Sequence, residues 1–246
     1  MQRSVALIVG TGARQLALEV TAREAIDTPY GPPSSPVATV RVGGVGLRCI
    51  ARHGEGHDVA PHEVNYRANV WALHRLGVTD CIAINAVGAI APELLPGHLA
   101  VPAQLIDYTW GRSSSFAAPG AVVHIDFTEP FDPVLAGCIA DAAACTDSPV
   151  ARGVYGVTQG PRLETAAEID RLQRDGCTMV GMTAMPEAAL ARELEIRYAV
   201  CAVAVNHAAG RGPAGAIHGQ IERYLAEGMG RVKALLEPLI VSLTAS

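Results

Sequence analysis

A handful of short apolar runs, each stopping at small or polar residues before a helix-forming stretch, constrains this chain most. Residues 4–9 end in Gly10-Thr11-Gly12, and residues 81–85 lead into Asn85-Ala86-Val87-Gly88. Residues 153–158 precede Gln159-Gly160-Pro161-Arg162-Leu163-Glu164-Thr165, and the last run, 198–205, ends in Asn206-His207. Continuous apolar runs of this length read as strands covered on both faces. Between them lie helical patterns: residues 64–76, with Val64, Ala68, Trp71, Ala72 and Leu76 at helical spacing, residues 133–145, a stretch ending at Arg174, and about 218–243. The alternation specifies an α/β fold, a central mixed twisted sheet flanked by helices. Val37–Val42 and residues 46–51 form a hairpin around Gly43-Gly44, and further strands are expected at 100–107 and 122–126. With no linker and no repeat, residues 1–246 read as a single domain.

Composition removes several function classes. The formal net charge is −5 and no basic run occurs, which argues against a nucleic-acid partner. No stretch approaches the ~20 apolar residues of a membrane span. Met1-Gln2-Arg3-Ser4 leads straight into an apolar strand, without a cleavage pattern. The six cysteines are scattered and none forms a C-x-x-C pair, so neither zinc nor disulfides are expected, and a reducing cytoplasm fits.

The chemistry gathers at strand ends, where ligands of α/β sheets sit. Thr178 to Leu190 reads as strand, tight turn and helix, with Pro186 as a first helical residue and Met182 and Thr183 in the turn near a helix start that favours anions. Gly10-Thr11-Gly12 lacks the third glycine of a dinucleotide fingerprint, because Gln15 stands there, so no nucleotide cofactor is implied. Thr11, Arg52, His53 and Thr183 together suit a phosphate, with Arg binding it bidentately. Glu164 and Asn206 offer a carboxylate acceptor and an amide, which suits a heterocycle edge. Each residue also has a plain structural reading. Arg52 suits a surface ion pair and His53 a satisfied loop histidine. Asn85 and Asn206 suit turns at strand ends, and Glu164 suits the first turn of a helix. Cys81 and Cys201 suit the core.

The order and spacing of these pieces resemble the trimeric purine nucleoside phosphorylases and methylthioadenosine phosphorylases. The matching segments are Gly10-Thr11-Gly12, Arg52-His53-Gly54, Val64 through Leu73, Asn85-Ala86-Val87-Gly88, His124-Ile125 with Glu129-Pro130-Phe131, Gly160 through Thr165, and Met182 through Glu187. The resemblance runs from near residue 5 to near 240, and the Asn65–Leu73 piece is closer to the methylthio branch.

The resemblance implies that Thr11, Arg52, His53, Ala86 (through its N–H) and Thr183 hold phosphate. Met182 would pack under the ribose, and Leu163 would line the substrate site. Glu164 and Asn206 would bind the base, and with His53 they are the expected catalytic residues. His124 and Ile125 would reach the neighbouring site of a homotrimer. No metal or other cofactor is implied, phosphate being a co-substrate. The implied reaction is reversible phosphorolysis of 5′-methylthio purine nucleosides to free purine and 5-methylthioribose 1-phosphate. Methylthioinosine is preferred, because adenine-specific relatives carry Asp at the Asn206 position and 6-oxopurine enzymes carry Asn there with Glu at the Glu164 position. Ile217 and Ile221 would suit a methylthio group, whereas His218 between them would suit a 5′-hydroxyl. Methylthioadenosine phosphorylase, a general 6-oxopurine nucleoside phosphorylase and a non-catalytic nucleoside-binding module remain the alternatives.

Overall fold

The computed structural model describes residues 3–118, 120–148, 150–213 and 217–245, the side chains of 217–220 excepted. The chain runs β1 (Val5–Val9), α1 (Ala13–Leu16), β2 (Glu19–Glu24), β3 (Val37–Val42), β4 (Val45–Ala51), α2 (Tyr66–Arg75), β5 (Asp80–Ala89), β6 (Leu99–Ala100) and β7 (Gln104–Asp107). It continues with α3 (Pro133–Ala144), β8 (Val154–Val157), α4 (Ala166–Arg174), β9 (Met179–Gly181), α5 (Ala184–Glu193), β10 (Arg197–His207) and α6 (Ile217–Thr244). The strands form one ten-stranded mixed sheet in the order β2-β3-β4-β1-β5-β9-β8-β7, with β10 joined to both β5 and β6. The expected α/β class with a central mixed sheet is the observed one.

Alternate residues of the central strands feed two cores, as the two-residue period of a strand requires. Ala6 and Ile8 of β1 face one cluster, which also takes Val70 and Leu73 of α2 and Leu190 of α5. Val5, Leu7 and Val9 face the other, where α3 and α6 pack. On α6 the positions Leu225, Met229, Val232, Leu236, Leu239 and Leu243 make one apolar stripe at helical spacing.

The long pair β5 and β10 carries the site. They run parallel from Arg197↔Asp80 to His207↔Ala89, with a register shift between Ala204 and Asn206. Asn85, expected at a strand end, therefore lies inside β5, whereas Asn206 sits at the end of β10 as expected. Each strand is prolonged by the other, and β9 adds antiparallel pairing at Gly88↔Val180 and Ala89↔Met179. The shift beside Asn206 is the kind of irregularity that re-aims a side chain.

Two other expectations change, and one strand was not expected. Residues 122–126 form no strand: they have no neighbouring strand, and Val122 and Val123 are 78% and 54% exposed. Residues 100–107 split into β6 and β7 around Pro102, which has no N–H for a ladder. β2 has no apolar alternation, since all six of its residues are exposed. Pro186 opens the regular part of α5 as expected, because Met185 before it is extended (φ −112, ψ 136), as the residue before a proline tends to be.

Candidate functional site

A cavity of about 280 Å³ opens where the ends of β1, β4 and β9 meet the middle of β5 and the end of β10. Thr11 reaches it from the turn after β1, Arg52 and His53 from the end of β4, and Ala86 from within β5. Met182 and Thr183 come from the turn after β9, Asn206 from β10, Ile221 from α6, and Leu163 and Glu164 from the loop before α4. Residues picked out along the sequence thus converge on one cavity. His124 and Ile125 do not join them: His124 is exposed, and Ile125 lines a different cavity with Arg192 and Tyr198. The His218 side chain lies outside the described residues.

Arg52 is 1% exposed, so it is not a surface ion-pair residue. Its Nε donates to Glu187 Oε1 at 2.5 Å, and its Nη2 donates to Glu187 Oε2 at 3.0 Å and to Asn85 Oδ1 at 2.8 Å. Nη1 donates to the Ile84 carbonyl at 3.3 Å. Four of the five guanidinium N–H groups are thereby engaged, and one on Nη1 remains. The expected bidentate grip on phosphate is therefore not available to Arg52 in this arrangement, because the fork is closed on Glu187. Burial works against the charge on Arg52, but the Glu187 carboxylate outweighs it and holds the guanidinium above its ordinary pKa. Tyr198 donates to the same carboxylate at 2.8 Å, and burial first, then that charge, keeps the phenol protonated. Nη1 packs against the turn after β1 so closely that a Cβ on Gly10 would lie 2.6 Å from it. Only glycine fits there.

His53 Nδ1 lies 2.9 Å from the Val59 carbonyl, so Nδ1 carries the hydrogen. Burial, then the Arg52 charge, lowers its pKa to about 4. The ring is neutral at pH 7, and Nε2 presents a lone pair. His57 stands edge-on to His53 with centroids 5.0 Å apart, and its Nε2 is 3.5 Å from Thr11 Oγ1. Thr183 precedes α5 without capping it, so its hydroxyl is not spent on the helix.

At the opposite end, Thr158 Oγ1 donates to Glu164 Oε1 at 2.6 Å. Asn206 Nδ2 donates to the His207 carbonyl at 2.6 Å, leaving its Oδ1 and a second N–H. Gly160 presses on Met182: a Cβ there would lie 2.5 Å from the sulfur, and φ is +64°. Burial pushes the Cys49 and Cys201 thiols up to about 12, so neither is a ready nucleophile. Among the described residues no group of three or more His, Cys, Asp or Glu could hold a metal ion.

Sequence reasoning missed Glu187, Tyr198 and Arg112. Glu187 appears in the sequence only as the end of a family-matching segment, yet it is 0% exposed. A carboxylate inside the apolar run Ala184 to Ala191 was the available signal.

A sequence profile of the Phosphorylase superfamily matches residues 4–241. The chain belongs to this superfamily. It is 49% identical over 239 residues to a probable S-methyl-5′-thioinosine phosphorylase of Pseudomonas syringae pv. tomato, covering 94% of this chain and 96% of that protein. It is 43% identical over 214 residues to a 6-oxopurine nucleoside phosphorylase of Pyrococcus furiosus, covering 84% and 80%. Its structure is similar to the methylthioadenosine phosphorylase of Schistosoma mansoni in complex with adenine, with a TM-score of 0.93 and 29% identity, covering 100% of this chain and 93% of that one. The superfamily and the purine-nucleoside character expected from the sequence motifs are thus the ones its relatives carry.

Proposed function

We propose that this chain catalyses reversible phosphorolysis of 5′-methylthio purine nucleosides, with methylthioinosine preferred. The observation that carries the reading is the convergence of Thr11, Arg52, His53 and Thr183 on the same cavity that Glu164 and Asn206 line. Relatives named for methylthioinosine at about half identity support it.

In this reading phosphate lies among Thr11, Thr183, the Ala86 N–H and the last N–H of Arg52. His53 Nε2, a lone pair, accepts from the O–H of hydrogen phosphate and so orients it. A phosphate oxygen then attacks the anomeric carbon while the bond to the purine nitrogen breaks. The electron pair leaves with the base, and a proton is taken up on the ring. Holding nucleophile and sugar together supplies proximity, and the phosphate charge stabilises the cation-like sugar. Met182 packs under the ribose, and Leu163 and Ile221 line the cavity beside it. Glu164 accepts N1–H of a 6-oxopurine, and Asn206 donates to the base as it gathers charge. Phosphate is a co-substrate, and no further cofactor belongs to the mechanism. The working unit is a homotrimer in which His124 and Ile125 complete a neighbour's site. The exposed Val122 and Val123 beside them support this, since clustered exposed apolar residues mark contact surfaces. A cytoplasmic location fits a chain in which no helix among the described residues is long and apolar enough to cross a membrane.

One observation favours a second reading. With Nδ2 of Asn206 turned to the His207 carbonyl, Oδ1 is free to accept from a 6-amino group, which suits methylthioadenosine. Parallel assays of methylthioinosine, methylthioadenosine, inosine and adenosine with phosphate decide the matter. A kcat/KM ratio of methylthioinosine over methylthioadenosine above one supports the proposal, and a ratio at or below one assigns the adenosine substrate instead.

A further inference from the structure

Arg112 does not line the cavity, yet one guanidinium ties its two sides together. The Met182 carbonyl lies before α5 and outside its hydrogen-bond ladder. Arg112 Nη1 donates to it at 2.7 Å, and it also reaches the Met185 carbonyl at 2.6 Å and the Tyr66 hydroxyl at 3.2 Å. Its other edge holds the loop after β8. Nη2 donates to the Gln159 carbonyl at 2.8 Å and to the Thr158 carbonyl at 3.4 Å, and Nε donates to Gln159 Oε1 at 3.2 Å. Every N–H is used, so Arg112 has none left for a ligand.

Thr158 passes this placement on. Its hydroxyl has one hydrogen and two acceptors in reach, Glu164 Oε1 at 2.6 Å and the Gly181 carbonyl at 3.3 Å. The shorter, charge-assisted contact takes the hydrogen. One oxygen of Glu164 is thereby fixed, and Oε2 is the one left to read the base.

We propose that Arg112 and Thr158 are positioning residues for base selection: Arg112 locks the loop after β8 to the Met182 turn, and Thr158 fixes which oxygen of Glu164 meets the purine. This rests on Glu164 being the base reader under the proposed function. It gives Thr158 a share in choosing 6-oxopurines, because a carboxylate with one settled oxygen offers an N1–H a single defined acceptor.

The test compares Thr158→Val, Thr158→Ser, Arg112→Lys and Arg112→Met with the wild type. Thr158→Val keeps shape and removes the donor, and Thr158→Ser restores it. The expected result for Thr158→Val is a fall of about tenfold or more in the methylthioinosine over methylthioadenosine kcat/KM ratio, the scale of a lost hydrogen bond to a charged group. Its KM for phosphate should stay within about twofold, and Thr158→Ser should recover most of the ratio. Arg112→Met should raise the nucleoside KM about tenfold while the phosphate KM moves little, and Arg112→Lys should recover only part, since an ammonium cannot span the two loops. An unchanged ratio in Thr158→Val, or nucleoside and phosphate KM rising together, overturns the proposal. Calorimetric binding of hypoxanthine separates this from the reading beneath it. If the wild type binds hypoxanthine but releases no base, phosphorolysis is wrong, and the brace is judged by whether Thr158→Val weakens hypoxanthine about tenfold. If the wild type binds no purine, Glu164 is not a base reader and the brace falls with it.

Discussion

On the Arg52 side of the cavity, where phosphate is proposed to bind, the strongest charge already has its protein partners. Arg52 and Glu187 are 1% and 0% exposed, bound to each other through two N–H groups, with Asn85, Tyr198 and the Ile84 carbonyl closing the set. On the side proposed to hold the base, Glu164 is part-exposed and holds one oxygen against Thr158, while Asn206 holds one N–H against a backbone carbonyl. The first end belongs to the core and its groups cannot move without leaving a buried charge unpaired. The second sits on a loop and a strand irregularity and can be altered locally. Stability should therefore be concentrated at one end and substrate choice at the other.

The largest expected effect breaks that contrast at the core. Glu187→Ala leaves Arg52 buried without its counter-ion, which costs about 3–5 kcal/mol. For a chain of this size each kcal/mol lowers Tm by roughly 2–4 °C. Glu164→Gln should leave Tm nearly unchanged. A calorimetric scan of both variants that shows equal losses would remove the distinction between the two ends.

Next comes phosphate. Thr183→Ala removes a hydroxyl that caps no helix, and its loss should raise the phosphate KM by about tenfold, as a lost hydrogen bond to a charged group implies. The nucleoside KM should change far less. Equal changes in both would place Thr183 away from the anion.

Base choice sharpens the other side. Asn206→Asp replaces an amide by a group that only accepts, so it should shift kcat/KM toward methylthioadenosine. A mismatched buried contact costs on the order of 1–3 kcal/mol, so the ratio should move about tenfold or more. A ratio that does not move would take Asn206 out of base reading.

A pH dependence tests the core end in another way. The pKa of His53 is lowered to about 4 in the folded chain, against about 6.5 unfolded. Between those values the unfolded state binds the proton more, so His53 makes stability fall as pH drops from about 6.5 to about 4. Urea midpoints over that window should decline less steeply in His53→Gln. Identical slopes would mean that the imidazole does not stay neutral.

Much of the fold was legible because it is written in local periodicity. β1, the β3–β4 hairpin, α2 and the apolar stripe of α6 follow from alternation and helical spacing. β2 was invisible since its six exposed residues carry no pattern, and residues 122–126 look like a strand but have nothing to pair with. The length of β5 depends on its pairing with β10 more than a hundred residues away, so the sequence puts Asn85 at a strand end although it lies inside the strand. The cavity residues were legible as polar interruptions after apolar runs, together with the family resemblance. Glu187 was not, because its partner Arg52 lies 135 residues away. Arg112 was not either, because most of its acceptors are backbone carbonyls, which leave no mark on the sequence.

The most direct test of the account is the identity of the sugar released from methylthioinosine. Purified enzyme is incubated with and without inorganic phosphate, and base and sugar are quantified together. The account predicts that hypoxanthine appears only with phosphate, in equal amounts with 5-methylthioribose 1-phosphate. Hypoxanthine released at the same rate without phosphate, alongside free methylthioribose, would contradict it and make the chain a hydrolase.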